Sequence, residues 1–184
     1  MRKYFVLIRL GVLDSIAWRG NMIYWIIIDI LGVAIVPFLW IAVIGAGGKP
    51  IAGFSVADII TYFIGIGLIW QGVVTYPFWY LILDIRDGLL ANDLVRPYSY
   101  IGKLFFYNIG SRMMRLMISL PFLIIILIVL RKFIVLPSSW LHIGMLIPAL
   151  IVAFTLIFLM HFVVGTVAFW FEEGFAVSSM FMYV

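Results

Sequence analysis

The chain has 184 residues, 66% of them hydrophobic and only 11% charged, with a formal net charge of +4. A soluble domain of this size is near half apolar and about a quarter charged, so one small core cannot absorb the excess and a bilayer must. The absence of cysteine excludes disulfides, thiolate metal sites and a cysteine nucleophile, and the scattered basic residues form no stripe for nucleic acid.

Residues 1–20 carry Arg2, Lys3, Arg9 and Arg19, while Phe5, Ile8, Val12 and Ile16 recur at helical spacing. This pattern predicts an amphipathic helix lying in the membrane interface. Arg9 and Asp14 interrupt its apolar run and no small-residue cleavage site follows, so a cleaved signal is not expected. The first span is 22–44, whose helical rise of about 34 Å is enough to cross; Pro37 is expected to kink it. A turn-rich loop at 45–53 leads to the second span, 56–79, which ends just past Pro77.

A polar stretch follows at 80–115 and reads as a cytoplasmic loop with a lead-in to the third span, 116–130. That span rises only about 22 Å, so Arg115 and Arg131 at its ends must snorkel. After a short loop with Pro137 comes the fourth span, 141–171, softly interrupted by Pro148. The apolar run at 175–184 reads as the start of a fifth span, because ten residues cannot cross as a helix. The expectation is an all-α integral membrane protein forming a single transmembrane domain. It has an interfacial helix, four complete transmembrane helices and a partial fifth. Trp18, Trp25, Trp79, Tyr80, Trp140 and Trp170 fall near span ends, where amphipathic rings favour the headgroups.

With the N-terminus inside, the inner segments hold nine bases: Arg2, Lys3, Arg9, Arg19, Arg86, Arg96, Lys103, Arg112 and Arg115. The outer loops hold three, Lys49, Arg131 and Lys132. The Lys/Arg bias therefore predicts a multi-pass protein with a cytoplasmic N-terminus, and the positive charge suits anionic membrane lipid.

Catalytic chemistry is not expected. Gly47-Gly48-Lys49-Pro50 has Pro where a phosphate loop needs Ser or Thr, and Val43 where it needs the first Gly. His142 and His161 show no metal-ligand spacing with a carboxylate. Asp29 is the one acid deep inside a span, which makes it a functional candidate by default. On helical rise it lies roughly 10 Å above Met22, Gln71 about 12 Å above Trp79, and His161 about 15 Å above Phe171. A shared depth suggests an intramembrane polar cluster of Asp29, Gln71 and His161; the alternative is three separate residues facing water, headgroups or a partner.

The loop Asp84-Ile-Arg-Asp-Gly-Leu-Leu-Ala-Asn-Asp-Leu-Val-Arg-Pro-Tyr-Ser-Tyr100 is a short amphipathic element. Leu89, Leu90 and Leu94 offer an apolar edge beside Arg86, Asp87, Asp93 and Arg96; Pro97 stops the element and Ser99 can cap the next helix. Such a knob suits docking on a soluble partner. Here the sequence resembles the ABC-2 type permeases of bacterial ABC exporters. It looks most like the subgroup whose inner loop reads D-I-R-x-G-x-L followed by L-x-R-P, in this chain Asp84-Ile85-Arg86-Asp87-Gly88-Leu89-Leu90 and Leu94-Val95-Arg96-Pro97. Ile59-Ile60-Thr61-Tyr62-Phe63 and Ala168-Phe169-Trp170-Phe171-Glu172 are similar to the family as well.

The resemblance implies six transmembrane helices, so that this chain looks short at its C-terminus. It also implies a bacterial inner-membrane location and a dimer with a second permease, identical or paralogous. The inner loop would act as a coupling helix in a groove of a cytosolic ABC ATPase subunit, with Arg86, Asp87, Gly88, Leu89, Leu94, Arg96 and Pro97 forming or bracing the contact. No cofactor is expected on this chain; ATP and Mg would sit on the ATPase. The readings from another class are an ion-coupled secondary transporter using Asp29, a membrane enzyme, and a non-transporting membrane anchor or fragment.

Overall fold

A computed structural model describes residues 2–45, 53–135 and 140–171. The expected start of a fifth span, 175–184, and the glycine-lysine turn at 47–50 lie outside the described residues.

The protein is an all-α integral membrane protein. The helices are α1 (Arg2–Ala17), α2 (Arg19–Gly45), α3 (Val56–Val73), α4 (Phe78–Arg86), α5 (Leu89–Leu94), α6 (Tyr100–Val129) and α7 (Trp140–Gly165), with 3₁₀ turns at Arg131–Phe133 and Thr166–Phe169. Among the described residues, four helical stretches are long and apolar enough to cross a membrane: Arg19–Val43, Val56–Arg86, Tyr100–Val129 and Gly144–Phe169. Their outward faces expose Leu31, Ile35, Phe38, Ile125, Ile128, Ile147 and Ile151. That much apolar surface in water would cost roughly 25 cal/mol per Å², and lipid removes the cost.

Local chemistry sets the helix ends. Ser55 and Asp58 form a reciprocal capping box at the start of α3, with Ser55 N–H donating to Asp58 Oδ2 at 2.9 Å and Asp58 N–H to Ser55 Oγ at 3.2 Å. Ser99 caps α6, accepting from the Gly102 N–H at 3.4 Å. Pro77 has no N–H to donate, and the chain leaves helix at 74–77 before resuming as α4. α2 continues through Pro37, α6 through Pro121 and α7 through Pro148.

The third spanning helix begins at Tyr100, well before the hydropathic segment 116–130. Lys103, Asn108, Arg112 and Arg115 dilute the hydropathy of its first half, yet that half is helical. Lys103, Asn108 and Arg115 have partners on other elements of the bundle, so they cost less than a window average implies.

The two ends of the bundle have separate cores. At the far end, Ile60, Ile64 and Leu130 are buried against Ile41, Ile126 and Phe133, and Thr61 Oγ1 donates to the Phe133 carbonyl at 3.1 Å while accepting from Val135 N–H at 2.9 Å. At the loop end, Leu81, Tyr100, Leu104 and Phe158 are buried against Ile85, Leu90, Phe105 and Phe162. Together these contacts make α2, α3, α6 and α7 alternate in direction.

α1 runs beside the first half of α6, with Tyr4 on Phe106 (ring centroids 4.5 Å apart) and Ser15 Oγ donating to Ser111 Oγ at 3.2 Å. The contact is backbone-close: a Cβ on Gly110 would overlap the Ile8 carbonyl, and one on Gly11 the Tyr107 carbonyl. Small residues permit such approach between membrane helices. Gly110→Leu and Gly11→Leu should each lower stability by about 1–3 kcal/mol, read as an earlier unfolding midpoint in detergent. Gly144, where a Cβ meets open space, serves as the control. An unchanged midpoint in Gly110→Leu would show that α1 does not rest on α6.

Candidate functional site

The candidate coupling residues occupy the connection from α4 to α6. Asp87 ends α4, its N–H donating to the Leu83 carbonyl at 2.9 Å. Gly88 then turns the chain at φ +71° into α5; a side chain in that left-handed conformation costs roughly 1–2 kcal/mol. Leu89, Leu94 and Val95 are exposed, Val95 to 85%. Arg86 and Asp87 pair at 3.3 Å on the surface.

Beneath this apolar edge lies a brace of charge. Asp93 is buried and accepts from Lys103 Nζ and from Tyr98 OH, the latter at 3.0 Å. Arg96 Nη1 donates to Tyr98 OH at 3.0 Å and lies 3.5 Å from Asp93. Lys103 also lies 3.6 Å from Asp84, which accepts from Tyr100 OH at 2.7 Å. Lys3 of α1 donates to the Pro97 carbonyl at 3.0 Å. α1, α4, α5 and α6 are thus tied at one point. Burial pushes the Asp93 carboxyl up, but the bonds from Lys103 and Tyr98 and the charges of Lys103 and Arg96 outweigh it and hold its pKa below the usual carboxylate range.

Deeper in the bundle, Asp29 of α2 is paired with Arg115 of α6 through Nη2. Arg115 Nε also donates to Gln71 Oε1 of α3 at 3.2 Å. Gln71 is fully buried, and its Nε2 has no partner among the described residues. His161 takes part in a different set of contacts: Nδ1 is 2.9 Å from the Ile157 carbonyl, and the ring packs on Tyr76 and Phe78. Asp29 and Gln71 are therefore brought together by a third residue, and the described contacts of His161 go elsewhere. Beside the break at 74–77, Thr75 Oγ1 donates to Asn108 Oδ1, and Asn108 Nδ2 donates to the Leu104 carbonyl at 2.8 Å.

Residues 30–184 match the family model of ABC-2 family transporter proteins. The chain belongs to the ABC-2 transporter family. It is accordingly a multi-pass transmembrane permease of an ABC transporter, and such a permease works with an ABC ATPase. No curated protein and no solved structure is detectably similar to it. The match takes in the loop, α6 and α7, whereas α1 and Asp29 precede it.

In this ABC-2 permease the residues that sequence reasoning missed are the braces. Arg115 reads in the sequence as a snorkelling end of the third span, yet it joins three helices. Asp84, Asp93, Tyr98, Tyr100 and Lys103 are not among the expected contact residues, yet they hold the contact in shape. One signal was present: Lys103 follows Asp93 by ten residues across Pro97, a spacing that lets a helix start fold back on the preceding turn.

Two outcomes follow for the permease. Asp29→Ala or Arg115→Gln should each cost about 3–5 kcal/mol, because either change leaves a partly buried charge uncompensated. The double variant should lose less than the sum in unfolding measurements; strict additivity would mean the two groups do not interact. For the loop, the folded Asp93 pKa lies below its unfolded value, so the brace is complete above about pH 4. It is lost as pH falls through the lower folded value. Amide exchange of residues 89–98, corrected for intrinsic rates, should accelerate only in that acid window, and Asp93→Asn should abolish the pH dependence. Equal protection across the window would contradict the brace.

Proposed function

We propose that the permease is one half of a bacterial inner-membrane exporter, driven by ATP hydrolysis on a separate cytosolic ATPase subunit that receives the 84–97 loop. The observation that carries this reading is the pairing of an exposed apolar edge with a fixed base. Leu89, Leu94 and Val95 face solvent, while Asp93, Lys103, Tyr98 and Arg96 hold the backbone beneath them. An apolar patch rimmed by charge is the form of a protein docking site, and a rigid base lets a push on it move whole helices.

Arg2, Lys3, Arg9, Arg19, Arg86, Arg96 and Lys103 lie on the loop side of the Arg112–Arg115 turn of α6, a basic bias that favours the cytoplasmic side for the loop and the N-terminus. ATP and Mg belong to the ATPase, and this chain supplies the path. A second permease, identical or paralogous, completes it, and lipid covers the remaining apolar faces. When two ATPase subunits close on ATP, their grooves carry the loops with them. The ties Lys3–Pro97 and Asp93–Lys103 then pass the displacement to α1 and α6 as rigid bodies. The ion-coupled alternative needs Asp29 as an open proton site, and the Arg115 pairing argues against it.

The test is capture of the ATPase by the co-expressed permease. Leu94→Asp with Arg96→Glu should reduce the ATPase recovered by about tenfold or more, with membrane insertion intact. Undiminished recovery in that double variant would remove the loop as the coupling contact.

A further inference from the structure

A cavity of about 680 Å³ opens between the α1–α2 junction, the 74–77 break and the middle of α6. Its polar wall holds Asn108, Ser111, Arg112 and Arg115 of α6 with Asp14 and Asp29 opposite. The carboxylates are already engaged: Asp29 by Arg115 and Asp14 by Tyr107 OH. Asn108 and Ser111 are engaged as well, by Thr75 and Ser15. Arg112 alone among these charged groups makes no hydrogen bond or ion pair to any described residue, although its guanidinium presents five donors.

The charge of Asp29 reaches Arg112 only through space and is already held by Arg115, and a guanidinium in a span with no hydrogen-bonding partner among the described residues is costly and calls for a counter-charge. The depth says what kind. Arg112 precedes the far end of α6, Val129, by 17 residues, a rise of about 26 Å against a hydrocarbon layer of about 30 Å. It therefore sits close to the edge of that layer on the loop side, where lipid phosphates lie. Four tryptophans also line the cavity, Trp18, Trp25, Trp70 and Trp79, and all are exposed, Trp18 to 68%. Indole rings at a membrane boundary favour the headgroup level. Guanidinium binds phosphate through paired N–H donors, and basic pockets between spans take anionic headgroups.

We infer that this cavity is a lateral binding site for an anionic amphiphile, its phosphate on Arg112 and its chains leaving between the tryptophans into the loop-side leaflet. The leaflet rests on the orientation proposed above; the site itself does not. A soluble anion would meet the same guanidinium but would gain nothing from the aromatic lining.

The experiment uses the purified permease in detergent, without any ATPase, so that its outcome is independent of loop docking. Phosphatidylglycerol with brominated acyl chains is titrated in and quenching of the cavity tryptophans is followed. The wild type should saturate at about tenfold lower lipid than with brominated diacylglycerol, which lacks the phosphate. Arg112→Gln should erase that preference, while Arg9→Gln on the exposed face of α1 should keep it. If Arg112→Gln does not insert, Arg112→Lys and the wild-type contrast between the two lipids carry the test. Equal quenching by both lipids in the wild type, or an unchanged preference in an inserted Arg112→Gln, overturns the proposal. Displacement of the phosphatidylglycerol by inorganic phosphate at equal concentration would overturn the amphiphile and leave only a free-anion site.

Discussion

Arg115 reaches from α6 to Asp29 on α2 and Gln71 on α3, and the arrangement of the three helices depends on that reach. Lipid cannot solvate an ion, so a charge inside a span must find its partner within the protein. Apolar helices surrounded by apolar lipid have little preference for one rotation about their axes over another. The ion pair supplies the preference, since only one register of α2 against α6 lets the carboxylate meet the guanidinium. Its net contribution to stability over an apolar replacement is small or negative; its contribution to uniqueness follows from the cost of every arrangement that separates the two.

The remaining polar side chains repeat this logic at shallower depths. Thr75 and Asn108 satisfy one another beside the α3–α4 break. Asp14 and Tyr107 do so between α1 and α6, and Asp93 with Lys103 where the loop folds back. α6 takes part in each pairing. It is the axis of the permease, and its mixed composition follows from that position: one side faces lipid through Ile125, Ile128 and Val129, and the other collects the polar groups of its neighbours.

The class of the protein was legible because it rests on bulk quantities, the apolar fraction and the lengths of apolar runs. The loop was legible because Gly88 and Pro97 punctuate it and its apolar and charged residues alternate. The extent of α6 was not. A hydropathy window scores Lys103, Arg112 and Arg115 as exits from the membrane, whereas Lys103 and Arg115 are neutralised by acids ten and eighty-six positions away in sequence. The grouping of Asp29, Gln71 and His161 by depth met a similar limit. Helical rise gives height along the membrane normal and says nothing about azimuth. Azimuth decides that Arg115 faces Asp29 and Gln71 while His161 turns toward Tyr76 and Phe78.

The bond from Lys3 to Pro97 spans 94 positions, and this separation bears on how the chain is made. At roughly 5–20 residues per second, α1 is complete about 5–20 s before its partner surface on α6 leaves the ribosome. During that interval Gly11 and Tyr4 have nothing to pack on, and Phe5, Leu10 and Leu13 need an apolar medium. The bilayer surface is the one at hand. An amphipathic pattern suits a helix for waiting at such a surface, and the glycines of α1 suit it for the later contact with α6, so one sequence answers to two environments in succession.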